Sequence, residues 1–236
     1  MNNSSTDGRR LVVVGASLAG LRAVESARKA GFDGAITLIG AEKHLPYDRP
    51  PLSKAYLEPG VDGASPEVPF FRTPETFADE LGVTMLLGSP ATGLRVDRRT
   101  VQVGDSEVPF DLLIIATGAQ ARVLPGTDHL DGVHGLRTIE DAAAVRAALE
   151  SGARTVVIGA GFIGSEVASN ANKRGIPVTV VEALATPLVR AIGPSMGPAI
   201  ASLHSRNGTE LRCGVGVDRV EGNGHVERVV LAETLL

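Results

Sequence analysis

Apolar and polar positions fall into two rounds of one pattern along this chain. Each round has a short apolar run, a glycine-rich turn, a stretch at helical spacing and a second apolar run. In the first round the run is LVVV from Leu11 and the turn begins at Gly15. A helix is predicted from about Leu18 to Lys29, with Leu18, Leu21 and Val24 on one face. Gly31 is its stop and Ala35 to Ile39 the following strand. In the second round TVVI precedes Gly159, a helix is predicted from about Phe162 to Lys173, Gly175 follows it, and Pro177 to Val181 is the next strand.

The rest of the chain is patterned in short pieces. His44 to Tyr56, HLPYDRPPLSKAY, is too rich in proline to be regular throughout. Val83 to Leu87, Gly93 to Val96 and Thr100 to Val103 read as an antiparallel meander, separated by turn residues. Phe110 to Gly118, FDLLIIATG, reads as a buried parallel strand closing the first round. In the second half a helix is expected over Ser195 to Asn207 and a strand over Thr209 to Arg212. Val217 to Val220 and Val226 to Leu231 read as a hairpin across Gly222-Asn223-Gly224. The sequence ends at LAETLL, where the plan of the first half would place a closing apolar strand. The expected fold is therefore α/β. It has two Rossmann-like three-layer units with antiparallel β-meanders, divided as 1–118 and 119–236, the second unit incomplete.

Composition narrows the function classes. The chain has 236 residues, 43% hydrophobic and 21% charged, and a net charge of -4. That balance argues against a nucleic-acid or anionic-membrane partner, both of which favour basic surfaces. No apolar run approaches membrane-spanning length; the longest, such as Leu112 to Ala116, are strand-sized. The polar MNNSSTDGRR start has no apolar signal core and reads as a frayed tail, so a cytoplasmic protein is expected. The single cysteine, Cys213, excludes an intrachain disulfide or dithiol and reads as a small buried hydrophobe. The five histidines show no metal-ligand spacing, so no metal is expected.

The glycine turns carry the chemistry. In Gly-x-Gly-x-x-Gly the first glycine makes the turn and the second lets backbone approach a pyrophosphate. The third lets helix pack on strand. Gly159, Gly161 and Gly164 fill all three positions, with Phe162 and Ile163 between the last two. The first turn has Gly15, Ala16, Ser17, Ala19 and Gly20, so serine takes the middle place. A tight turn without ligand is the alternative for either copy alone; two copies favour two dinucleotides. Glu182 ends the strand about 20 residues past the second turn, where a carboxylate can accept from both ribose hydroxyls and repel a 2′-phosphate. NADH is therefore expected over NADPH. Glu42 is the corresponding acid of the first half, displaced by a residue or two.

VVVGASLAGLRA, LPYDRPPLSKAYL, LLIIATGA and VVIGAGFIGSEVA, in that order, resemble the FAD-dependent ferredoxin reductases. These NADH-oxidising flavoproteins feed [2Fe–2S] ferredoxins of Rieske oxygenases and cytochromes P450. The resemblance runs from about Arg10 to Leu231, and LPYDRPPLSK and GAGFIGSE are its specific parts. It implies an FAD-binding first unit and an NAD-binding second. The first glycine turn would hold the FAD pyrophosphate and Glu42 its adenosine ribose. Arg49 and Lys54 would lie by the flavin, and Ala116, Thr117, Gly118 and Arg122 would line the FAD site. Gly159 to Gly164 and Glu182 would hold the nicotinamide dinucleotide. Glu166 would pair with Lys54 beside the isoalloxazine, these two serving catalysis. From the residues alone, a solvated Lys54 and a Glu166 drawn to the helix N-terminus remain the alternative. Related disulfide reductases carry a redox cysteine pair where this chain has HLPYDRPPLSK, which implies flavin-only chemistry. The family continues with a second FAD segment and a third domain after the point where this sequence ends. Ala121 stands where the family usually has proline. The resemblance thus implies hydride transfer from NADH to FAD, then single electrons to a ferredoxin. The competing expectation is a dinucleotide-binding remnant without turnover.

Overall fold

Four valine and leucine side chains of the first strand set the architecture of the amino-terminal unit. The structure is a computed structural model that describes residues 8–60 and 66–232. The described residues divide into two compact units, 8–48 with 68–120, and 49–60 and 66–67 with 121–232. In the first unit β1 (Arg10–Val14) leads into α1 (Leu18–Lys29) and β2 (Ala35–Ile39). Leu11 and Val13 face one way, into a core with Leu21, Val24, Ile36, Leu38, Phe77 and Val83. Val12 and Val14 face the other, into a core with Ile39, Val101 and Phe110. Both faces of β1 are thus covered, which is why its sequence is apolar without alternation. Each such buried side chain stabilises the fold by about 1.5–3 kcal/mol.

β3 (Val83–Leu86) pairs parallel with β2, residue by residue from Ile36–Val83 to Ile39–Leu86. It is therefore a strand of the main sheet and not the first strand of the meander. The meander is built instead from β4 (Ala91–Arg95), β5 (Thr100–Val103) and β6 (Ser106–Pro109). β6 is polar and proline-ended, so it carried no apolar signal. β7 (Leu112–Ile115) pairs parallel with β1, giving the order β3-β2-β1-β7. It was expected to be buried. It lies at the sheet edge among the described residues, with Leu112 44%, Ile114 37% and Ile115 64% exposed. Leu18, too, is 43% exposed, as the first residue of α1. Arg10 and Asp111 lock the starts of β1 and β7. The guanidinium Nε and the Arg10 backbone N–H both donate to Asp111 Oδ2, at 3.0 and 2.8 Å.

The second unit begins with two 3₁₀ turns, Pro50–Ser53 and Ala55–Leu57. The division expected at 118/119 differs here, because residues 49–60, with 66 and 67, cluster with the second unit. The physical reason is a set of long-range hydrogen bonds. Arg146 Nη1 donates to the carbonyls of Tyr56 and Glu58, at 2.9 and 3.2 Å, and Lys173 pairs with Glu58 at 2.7 Å. α2 (Ile139–Glu150), absent from the sequence reading, opens with a capping box in which Thr138 and Asp141 satisfy each other's backbone N–H groups. β8 (Thr155–Ile158), α3 (Phe162–Lys173) and β9 (Val178–Glu182) repeat the βαβ plan. α4 (Val189–Ile192) and α5 (Gly197–Arg206) follow, and β10 (Glu210–Cys213) completes the order β10-β9-β8. β11 (Val217–Gly222) and β12 (Val226–Leu231) form the antiparallel hairpin. Leu149, Ala160, Ala168, Ala171, Ile176, Val178 and Val180 make the core of this unit. Val156 and Ile158, on the outer face of β8, stay 45% and 47% exposed.

Candidate functional site

The first turn is a place where three backbone segments nearly touch. Gly15 has φ +117°, and its N–H donates to Ile39 O at 2.8 Å. A Cβ built on Gly15 would stand 2.1 Å from the carbonyl oxygen of Ala116, and one on Gly20 would stand 1.9 Å from Gly15 O. Only glycine lets β1, the turn after β7 and α1 converge in this way. Ala116 is thereby held against the turn, while Thr117 and Gly118 beside it are exposed. Ser17 is the N-cap of α1, but its hydroxyl makes no capping hydrogen bond, and no acidic residue occupies the first turn. The first N–H groups of α1 are left for an anion. Ala19 is exposed there with Leu18. Glu42 follows β2 and its carboxylate accepts from the Tyr47 hydroxyl, a buried ring.

The second turn closes in the same way and opens wider. Gly159 has φ +105°, and a Cβ on Gly164 would meet Gly159 O at 2.1 Å. Around Gly159 and Gly161 nothing lies within 4 Å of where a Cβ would be. That open space over a helix N-terminus fits a pyrophosphate. Phe162 and Ile163, in the first turn of α3, are 58% and 53% exposed. Glu182 is fixed by two backbone donors: Ala160 N–H reaches Oε2 and Leu184 N–H reaches Oε1, each at 2.8 Å. Each carboxylate oxygen keeps a free lone-pair direction for a further donor.

Lys54 and Glu166 meet at 3.0 Å through Nζ and Oε1, with the lysine side chain 54% and the glutamate 25% exposed. Lys54 also reaches Pro50 O at 3.3 Å. Arg49 lies at the head of the first 3₁₀ turn and donates from Nη1 to Arg137 O at 2.7 Å. Arg49 and Lys54 belong to the second unit, not to the first where the sequence reading had placed them. Arg122 also falls in the second unit and is exposed. Cys213 pairs in register with Glu182 across β10 and β9; burial first, and that carboxylate second, push its thiol up. It is not a thiolate nucleophile near neutral pH. Among the described residues no group of three or more His, Cys, Asp or Glu is placed to hold a metal ion.

The sequence reading passed over Ser53, Asn170 and His204. Ser53 is 5% exposed and donates to Glu166 Oε2. Asn170 is 4% exposed and donates from Nδ2 to Ser53 O and Glu166 O, at 3.2 and 3.1 Å. Its spacing from Glu166, four residues on one helix, was the available signal. His204 contacts Ser165 Oγ at 3.1 Å, and burial pushes its pKa down.

Two βαβ turns of this geometry, the second with a strand-end acid, define a protein of the dinucleotide-binding α/β class. The profile of the pyridine nucleotide-disulphide oxidoreductases matches residues 9–235, and the chain belongs to that family. It is 40% identical over 212 residues to rhodocoxin reductase of Rhodococcus erythropolis, covering 89% of this chain and 49% of that protein. It is 36% identical over 224 residues to the ferredoxin--NAD(+) reductase subunit of the benzene 1,2-dioxygenase system of Pseudomonas putida, covering 94% and 53%. Among solved structures, the covalent putidaredoxin reductase–putidaredoxin complex matches with a TM-score of 0.86 and 32% identity, covering 96% of this chain and 55% of that one. The chain spans about half the length of the curated relatives it matches.

Proposed function

We propose that this chain carries the dinucleotide-binding half of an FAD-dependent, NADH-oxidising reductase that passes electrons to a [2Fe–2S] ferredoxin in the cytoplasm. The observation that carries the reading is the pair of glycine turns together with Lys54–Glu166. The bland readings of each feature do not predict all three in one chain. The relatives' names, ferredoxin and rhodocoxin reductases, support the same acceptor class.

The residues divide the work. Gly15, Ala16, Ser17, Ala19 and Gly20 present the α1 N-terminus to the FAD pyrophosphate, with Glu42 for the adenosine ribose and Ala116, Thr117 and Gly118 lining the site. Gly159, Gly161, Phe162, Ile163 and Gly164 present α3 to NADH, and Glu182 accepts from its ribose hydroxyls. Bound flavin supplies the hydride and one-electron chemistry. Lys54, an ammonium held by Glu166, and Arg49 would supply positive charge to a flavin bound beside them, which would favour its reduced, anionic form. Glu166 keeps the ammonium oriented.

The test is a visible spectrum of the purified chain after incubation with FAD and desalting, repeated anaerobically with NADH. A retained flavin band that bleaches supports the reading. A colourless protein that still binds NADH favours the second reading, a dinucleotide-binding chain without turnover.

A further inference from the structure

The Lys54–Glu166 pair is half of a closed ring of contacts. Glu166 divides its carboxylate between two donors: Oε1 takes the Lys54 ammonium at 3.0 Å and Oε2 takes the Ser53 hydroxyl. Ser53 has one hydroxyl proton. Its other acceptor within reach, Pro50 O, stands at 3.5 Å, the outer limit of a hydrogen bond. The proton therefore belongs to the carboxylate. One turn further along α3, Asn170 closes the ring by donating to the carbonyl of Ser53 itself. Ser53 is 5% and Asn170 4% exposed, whereas the Lys54 side chain is 54% exposed. Ser53 and Asn170 form the buried side of the ring, and Lys54 is its one long, exposed member. A surface ion pair alone would hold such a lysine poorly, because solvent screens the charges and the long side chain loses freedom.

We propose that Ser53 is a positioning residue that aims the Glu166 carboxylate, and through it fixes the Lys54 ammonium. Its relevance to turnover rests on the functional reading above. Nothing in a capping role would require the hydroxyl to leave Pro50 O for a side chain on another element. Without Ser53, the Glu166 carboxylate turns about its last torsion and Lys54 loses its fixed acceptor.

The experiment uses the whole chain with lysine side chains isotope-labelled, and reads the order of the Lys54 Cε and Nζ groups by NMR without flavin. Ser53→Ala is expected to raise Lys54 mobility and Ser53→Thr, which keeps the hydroxyl, to restore it. In a Glu166→Gln background, Ser53→Ala is expected to add nothing, because it acts through that carboxylate. With FAD loaded, Ser53→Ala is expected to slow NADH-driven bleaching about tenfold, the value of one charge-assisted hydrogen bond, with NADH affinity unchanged. Should Ser53→Ala not fold, Ser53→Cys keeps the size and removes the strong donor. Equal Lys54 order in wild type and Ser53→Ala, or additive effects of the two substitutions, overturns the proposal. The flavin-free measurement decides Ser53 by itself; failure to retain or bleach flavin counts against the functional reading alone.

Discussion

Glu182 is held by Ala160 N–H and Leu184 N–H before any ligand arrives, so its carboxylate is preorganised as an acceptor. Hydrogen bonds to a charged group contribute about 1.5–3 kcal/mol, so Glu182→Ala is expected to weaken NADH about tenfold to a hundredfold. NADPH should lose nothing, since the charge that repels its 2′-phosphate is removed. Parallel fluorescence titrations of the two nucleotides check this, and equal losses would contradict the assignment. Asp111 is a second residue with a readable consequence. Hydrogen bonds from the Arg10 side chain and backbone lower its pKa from 3.8 to about 2. A depressed carboxylate contributes stability that is present above pH 3.8 and is lost as pH falls towards about 2. Asp111→Asn should therefore lower stability near neutral pH, leave it little changed below about pH 2, and so flatten the acid-unfolding curve across that window. An unchanged acid limb would show that the Arg10 pair does not act on stability.

Among the elements, the two α3 glycines separate folding from binding. Gly164→Ala would place a Cβ 2.1 Å from Gly159 O, a backbone atom that cannot swing aside. The expected cost is about 1–3 kcal/mol of stability, read by denaturant melts. Gly161→Ala meets open space at φ -79° and should cost at most about 1 kcal/mol. It should nonetheless weaken NADH about tenfold, because the methyl fills the path of the pyrophosphate. Intact NADH affinity in a folded Gly161→Ala chain would remove that turn from the site. The same elements show what was legible beforehand. α1, β2 and α3 lie where apolar spacing and their glycine stops put them, because period and punctuation agreed. β3 was misread because a short segment such as Val83 to Leu87 does not reveal whether its neighbour runs parallel or antiparallel. α2 escaped because its capping residue at the third helical position is Asp141 rather than Glu or Gln, and alanines dilute its apolar face. Each turn glycine was legible singly. The ring through Ser53 and Asn170 was not, because it joins residues 117 apart by contacts that no local pattern encodes.

At the scale of the molecule, each parallel sheet among the described residues ends in a strand with exposed apolar side chains, β7 with Ile115 and β8 with Val156 and Ile158. Unpaired apolar edges recruit further strands. This 236-residue chain is expected to self-associate with rising concentration, and Ile115→Lys with Val156→Lys to suppress it. Sedimentation velocity over a concentration series checks the expectation; a wild-type chain that stays monomeric throughout would refute it. The interleaving of the units has a consequence in time. Ser53 leaves the ribosome 113 residues before Glu166, its partner in the ring. At about 5–20 residues per second, roughly 5–25 s of synthesis pass before that partner exists. For that interval the PPLSKAYL segment waits without the helix that will hold it, open to chaperones and proteases. Slowing or speeding translation between these two points is thus a lever on yield that acts on no contact of the finished protein.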